Sequence, residues 1–173
     1  MEVSRIFDLL TRYEKCFKVK DNVLAGKENG KWILHDLEKY QKTASYISCA
    51  LLKLGIKKGD KIATISNNRP EWNFVDMGIM QIGAVHVPIY PTISTEDYEY
   101  VLKHAGVKYV FVSGNEIIRK IGHILKAVEN IEDVYSFTHV EGYKHFNEII
   151  EFGKKNQDLN KIEKIKTSIS KDD

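Results

Sequence analysis

Apolar residues recur at helical spacing in the first segment, SRIFDLLTRYEKCF, where Ile6, Leu9, Leu10, Tyr13 and Phe17 predict an amphipathic helix capping the domain. KVKDNVLAGKENGKWILHD then places two short apolar runs around Lys27-Glu28-Asn29-Gly30, which predicts a β-hairpin. A long helix follows from about Asp36. Leu37, Tyr40, Ala44, Ile47, Leu51 and Leu54 form its stripe, and Gly55 stops it. From residue 60 short β-rich runs alternate with helical ones: DKIATISN, PEWNFVDMGIMQIG, AVHVPIY, STEDYEYVLKHAG, KYVFVSG and NEIIRKIGHILKAV. A further strand, EDVYSFT, and a last helix, YKHFNEIIEFGKKN, precede a Lys- and Asn-rich tail.

This alternation predicts an α/β fold, a parallel sheet with helices on both faces, preceded by a helix and a short hairpin. Residues 1–158 form the α/β unit in this reading, and 159–173 a polar tail. Pro70 and Glu71 suit the first turn of a helix, Ser94 with Asp97 resembles a capping box, and Gly83 and Gly106 mark helix ends. In the segment 70–82, Trp72, Phe74, Val75, Met77, Ile79, Met80 and Ile82 occupy more than one helix face. That helix is therefore expected between the sheet and another layer, with Gly78 admitting a neighbouring backbone.

Composition narrows the function classes. Lys and Arg number 26 against 24 Asp and Glu, interleaved along the chain, so no basic footprint points to nucleic acid. Cys16 and Cys49 sit widely apart in helical patterns and read as buried, reduced thiols of a cytoplasmic protein. The acidic, charge-rich start lacks the order of a secretory signal. Residues 74–90, the longest apolar window, contain Asp76, His86 and Pro88 and fall short of the roughly 20 clean residues a spanning helix needs.

Candidate chemistry is sparse. Gly78 and Gly83 have the gap of a phosphate loop, but Ala84-Val85 follow in place of Lys-Ser/Thr. His139, Glu141 and His145 match no ligand spacing for a metal. His86, inside a Val-His-Val alternation, reads as an internal hydrogen-bonding residue; His35, His104 and His123 read as solvated on helix edges or polar faces. Ser66, Ser94 and Ser113 have no nearby His in sequence to act as base. The loops Asn67-Asn68-Arg69 and Tyr90-Pro91-Thr92 end parallel strands, the place where α/β proteins bind ligands. Asn68, Arg69, Tyr90 and Thr92 are accordingly the expected substrate-binding residues, with turn chemistry or helix capping as the competing role of each.

SNNRPEW, then GIMQIGAVHVPIYPTISTEDYEYVLKHAGVKYVFVSG, resembles the N-terminal part of the AMP-forming acyl-CoA synthetases, most specifically the long-chain fatty acid–CoA ligases. The resemblance starts near Trp32-Ile-Leu-His-Asp, includes Leu54-Gly-Ile-Lys-Lys-Gly-Asp-Lys-Ile-Ala, and runs to about Gly114, with weaker likeness at Phe146-Asn-Glu-Ile-Ile-Glu-Phe-Gly. The Asn-Arg-Pro-Glu-Trp turn and Pro-Ile-Tyr-Pro-Thr loop look like the long-chain branch; short-chain and peptide-synthetase relatives tend to carry Asn-Pro in the second loop.

The resemblance implies a parent enzyme that adenylates a fatty acid with ATP and Mg2+, releases pyrophosphate, and transfers the acyl group to CoA. It implies no catalytic group within these residues, because the family's Ser/Thr/Gly-rich phosphate loop, acidic motifs and catalytic lysine would follow Asp173. The chain alone is expected to be inactive. Its expected partners are the rest of its own chain, a second copy, and a membrane surface touched peripherally. The alternatives are a stand-alone, non-catalytic α/β binding module and a fragment of another adenylate-forming enzyme.

Overall fold

A computed structural model describes residues 3–28 and 30–172. The chain runs α1 (Asp8–Cys16), β1 (Leu24–Glu28), β2 (Lys31–His35), α2 (Leu37–Lys53), β3 (Lys61–Ile65), α3 (Pro70–Met80), β4 (Val85–Ile89), α4 (Thr95–Ala105), β5 (Val107–Val112), α5 (Asn115–Ala127), β6 (Asp133–Ser136), β7 (Lys144–His145), α6 (Phe146–Lys155) and α7 (Leu159–Ser168). β1 and β2 pair antiparallel with Glu28 opposite Lys31; Asn29 of the expected turn lies outside the described residues. The other strands form one parallel sheet in the order β4-β3-β5-β6-β7.

Helices cover both faces of this sheet, as its strand pattern predicts. On one face Ile62, Tyr109, Phe111 and Tyr135 pack beneath α2, α3 and α6; on the other Ala63, Ile65, Val110 and Val112 pack beneath α4 and α5. This alternation follows from the period of two along each strand. A strand buried on both faces reads as the continuous apolar run seen in VKYVFV.

α2 is the spine of the first face, lying between α3 and α6. The close approach at Gly78 is present: a Cβ there would stand 2.8 Å from Ile47 Cβ and 2.9 Å from the Ala44 carbonyl oxygen. The Ser48 hydroxyl, wholly buried, reaches the Gly78 carbonyl at 2.7 Å across the same contact. α6 meets α2 through Gly153, where an added Cβ would land on the Tyr46 carbonyl.

Four local readings change. Residues 159–168, expected as polar tail, form α7: Asp158 caps the helix through the Lys161 N–H, and Ile162 and Ile169 are buried. Arg5 fastens its end, donating to the Lys166 and Ile169 carbonyls while Asp8 holds the guanidinium. β7, two residues long, is too short for any periodicity to announce. Cys16 is exposed rather than buried, because α1 turns Phe7 and Leu10 to the core; Cys49 is buried as expected. His35 lies in β2, half-buried, with its ring edge-on to Phe74 at 5.4 Å, while His104 and His123 are exposed.

Candidate functional site

In the parallel sheet, the chain leaves β3 through α3 toward β4, and leaves β5 through α5 toward β6, on the opposite face. The two departures open a crevice at the carboxyl ends of β3 and β5, the topological switch point where open α/β sheets bind ligands. The crevice here has a volume of about 820 Å³. Its floor is Asn67–Glu71 and Ser113–Glu116, the hairpin forms one wall, and Phe137, Thr138 and the start of α6 close the far side.

Arg69 organises this crevice. Its Nε and Nη2 grip both oxygens of Glu71 at 2.8 and 2.7 Å, and its Nη1 donates to the Ser113 carbonyl at 3.3 Å. The guanidinium also lies over the Phe137 ring, 4.9 Å from its centroid. One side chain thus joins the ends of β3, β5 and β6, and it is a clasp rather than a free ligand group. Burial pushes the Glu71 carboxyl up, but the Arg69 fork outweighs it and holds the pKa below the usual glutamate value.

A second cleft of about 820 Å³ opens beside the first, at the carboxyl ends of β3 and β4. Trp72, Ile89, Pro88 and Pro91 supply apolar walls, and Asn67, Asn68, Ser66 and Thr92 supply polar ones. The loop after β4 is held from below: the buried Tyr98 hydroxyl donates to the Tyr90 carbonyl at 2.9 Å, and Ser94 caps α4 by accepting the Asp97 N–H at 3.1 Å. The Tyr90 ring is left 79% exposed at the rim.

Of the four residues singled out by sequence, Asn68 lines both clefts, Arg69 only the first, and Tyr90 and Thr92 only the second. The fold therefore brings Asn68, Tyr90 and Thr92 around one cleft and sets Arg69 behind them. Asn68 and Thr92 make no side-chain hydrogen bond among the described residues, whereas all the guanidinium nitrogens of Arg69 are engaged within the protein.

Beneath the second cleft lies a contact that sequence spacing did not reveal. His86 is hydrogen-bonded inside the fold, as its alternation suggests, with Nδ1 2.7 Å from Asp76 Oδ1 and Nε2 2.9 Å from Thr64 Oγ1. Both ring nitrogens are engaged, one by the Asp76 carboxyl and the other by the Thr64 hydroxyl. Hydroxyl, imidazole and carboxylate thus stand in the order of a nucleophilic triad, but Thr64 is wholly buried and Trp72 covers His86 with ring centroids 5.0 Å apart. The arrangement fixes α3 to β3 and β4; no substrate reaches the hydroxyl.

His145 caps α6 by accepting the Asn147 N–H at 3.2 Å, and its ring lies 6.5 Å from that of His139. Among the described residues no three His, Cys, Asp or Glu side chains gather in a set able to hold a metal ion. No helix among them is long and apolar enough to cross a membrane.

A family model described as AMP-binding enzyme matches residues 30–172. Fatty acyl-CoA synthetase A of Dictyostelium discoideum is 38% identical over 74 residues, which covers 43% of this chain and 11% of that protein. Long-chain-fatty-acid–CoA ligase ACSBG2 of Homo sapiens is 30% identical over 98 residues, covering 57% of this chain and 15% of that one. The chain therefore spans less than a fifth of either relative. Among solved structures, an anthranilate CoA ligase, AuaEII, in complex with anthranoyl-AMP has the same fold, with a TM-score of 0.70 at 22% identity, covering 85% of this chain and 27% of that one.

Proposed function

The chain belongs to the AMP-binding enzyme family, and from that membership we propose that it forms the first α/β subdomain of a long-chain fatty acid–CoA ligase. The parent joins ATP and a fatty acid carboxylate into an acyl-adenylate with loss of pyrophosphate, and CoA then displaces AMP. The observation that carries this reading is the continuous family match over 30–172 together with relatives named as fatty acyl-CoA synthetase and long-chain ligase.

In this role the residues bind and orient rather than react. Asn68 and Thr92 offer unengaged polar groups to a substrate lying along the apolar wall of Trp72, Ile89 and Pro91, with Tyr90 at the rim. Arg69 acts through the backbone: by clasping Glu71 and the Ser113 carbonyl it holds the Asn67–Asn68 turn in place between the clefts. The magnesium implied by the reaction has no fitting donor set among the described residues, so no step is assigned to a metal here.

The test is the reading frame beyond Asp173. Continuation into a Ser/Thr/Gly-rich phosphate loop is the expected result. A stop codon immediately after Asp173 would overturn the ligase reading in favour of a self-contained binding module.

A further inference from the structure

The second cleft is walled by three separate elements. Ser66, Asn67 and Asn68 come from the end of β3 and the loop after it, Trp72 belongs to α3, and Pro88, Ile89, Tyr90, Pro91 and Thr92 run from β4 into the following loop. Backbone pairing fixes β3 to β4. α3 has no such ladder: it joins the core of this face through Phe74, Val75 and Ile79, and apolar contacts of that kind are non-directional. β4 is also the edge of the sheet, paired on one side alone. The distance between the Trp72 wall and the loop after β4 therefore needs a further contact to set it.

His86 meets all three elements. It lies on β4 opposite Ile62 and faces α3, as does Thr64, two residues beyond Ile62 on β3. Its Nδ1 bonds to Asp76 of α3 at 2.7 Å and its Nε2 to Thr64 of β3 at 2.9 Å. Asp76 stands one turn beyond Trp72 on the same face of α3, and the Trp72 ring rests on the imidazole with centroids 5.0 Å apart. Bonds at two sides of a flat ring fix its plane, and with it the surface beneath the indole. Little of the link meets water: the His86 side chain is 4% exposed, that of Asp76 14%, and Thr64 is wholly buried. A buried, satisfied polar link defines geometry where an apolar side chain would only fill space.

We propose that His86 is a positioning residue for the second cleft. Gripped by Asp76 and Thr64, it sets how far the Trp72 wall stands from the loop after β4, and so how broad an apolar group the cleft admits. The proposal rests on the reading of that cleft as a binding place. His86 itself touches no ligand, because Trp72 covers it.

The experiment reads Trp72 directly. The chain has two tryptophans, so Trp32→Phe leaves Trp72 as the sole indole. In that background its emission maximum and its quenching by acrylamide are measured, with the urea-unfolded chain as the fully accessible reference. His86→Leu removes both bonds, and should shift the emission to the red and move the quenching toward that reference. His86→Asn places an amide where Nδ1 lies, can keep the Asp76 bond, and should return both signals most of the way to the parent values. Thr64→Val removes the other bond and should move them in the direction of His86→Leu by a smaller amount. Gly153→Ala, which crowds α6 against Tyr46 of α2 and not against α3, is the control: it should lower the urea midpoint without moving Trp72. Circular dichroism of each variant confirms folding, and if His86→Leu does not fold, Thr64→Val against Gly153→Ala decides the question. Trp72 unmoved in His86→Leu or Thr64→Val, no rescue by His86→Asn, or an equal shift in Gly153→Ala would each overturn the proposal. These signals need no ligand, so their outcome is separate from that of the reading-frame test of the ligase.

Discussion

Replacing Gly78 with alanine puts two opposed effects in one residue. In an exposed helix the change stabilises by about 0.5–1 kcal/mol, because glycine loses more backbone freedom on folding. Here the new methyl would stand 2.8 Å from Ile47 Cβ and Cγ2 and 2.9 Å from the Ala44 carbonyl oxygen, well inside the roughly 3.5–4.0 Å of ordinary contact. The obstacle is the body of α2, not the end of a flexible side chain, so α3 must withdraw by most of an ångström. That overpacking costs about 1–3 kcal/mol. It also stretches the 2.7 Å bond from the Ser48 hydroxyl to the Gly78 carbonyl, a further cost of about 1 kcal/mol. The opposing effects sum to a net loss of about 1–3 kcal/mol, read as a lowered urea midpoint at unchanged slope. Gly153→Ala, whose methyl would lie 2.6 Å from the Tyr46 carbonyl carbon, should lose at least as much. A Gly78→Ala protein as stable as the parent would refute the reasoning that α2 and α3 are in contact through this glycine.

Ile79 is wholly buried, so Ile79→Ala should cost about 2–5 kcal/mol, while Lys57→Ala, on an exposed turn, should stay within about 0.5 kcal/mol by the same denaturation assay. Thr64→Val keeps the shape of the side chain but strips His86 Nε2 of its partner, and a loss of about 1–3 kcal/mol is expected; an unchanged midpoint would mean that another donor takes over. Because Arg69 holds the Glu71 pKa below its ordinary value, this carboxylate contributes stability that is complete above about pH 4.3 and is lost as the pH falls through the lower folded value; the urea midpoint of Glu71→Gln should therefore fall less steeply with acid than that of the parent. Titration calorimetry of the 173-residue chain with Mg-ATP should show no saturable heat, and a micromolar dissociation constant would contradict the expectation that the chain alone binds no nucleotide.

Hydrophobic period made most of the architecture readable: the parallel sheet, its two helical layers and the hairpin all follow from spacing alone. α7 escaped because its stripe is narrow, Ile162, Ile165 and Ile169 among lysines, and its anchor is Arg5, some 161 residues away from Lys166 in the chain. The clefts were legible as loop positions, since the carboxyl ends of parallel strands are where side chains from several loops converge. Their chemistry was not. That Arg69 is consumed by Glu71, Ser113 and Phe137 depends on how the ends of three strands meet. The Asp76–His86–Thr64 chain likewise joins a helix, an edge strand and a central strand whose sequence separations carry no signal.

Fatty-acid-dependent exchange of labelled pyrophosphate into ATP, measured on the chain together with whatever sequence its reading frame encodes after Asp173, tests the proposed ligase reading most directly. The account predicts exchange only when a fatty acid is present, acyl-CoA formation once CoA is added, and palmitate outpacing acetate, since each methylene buried contributes about 0.8 kcal/mol. Exchange without a fatty acid, or a preference for acetate or an amino acid over palmitate, would contradict it.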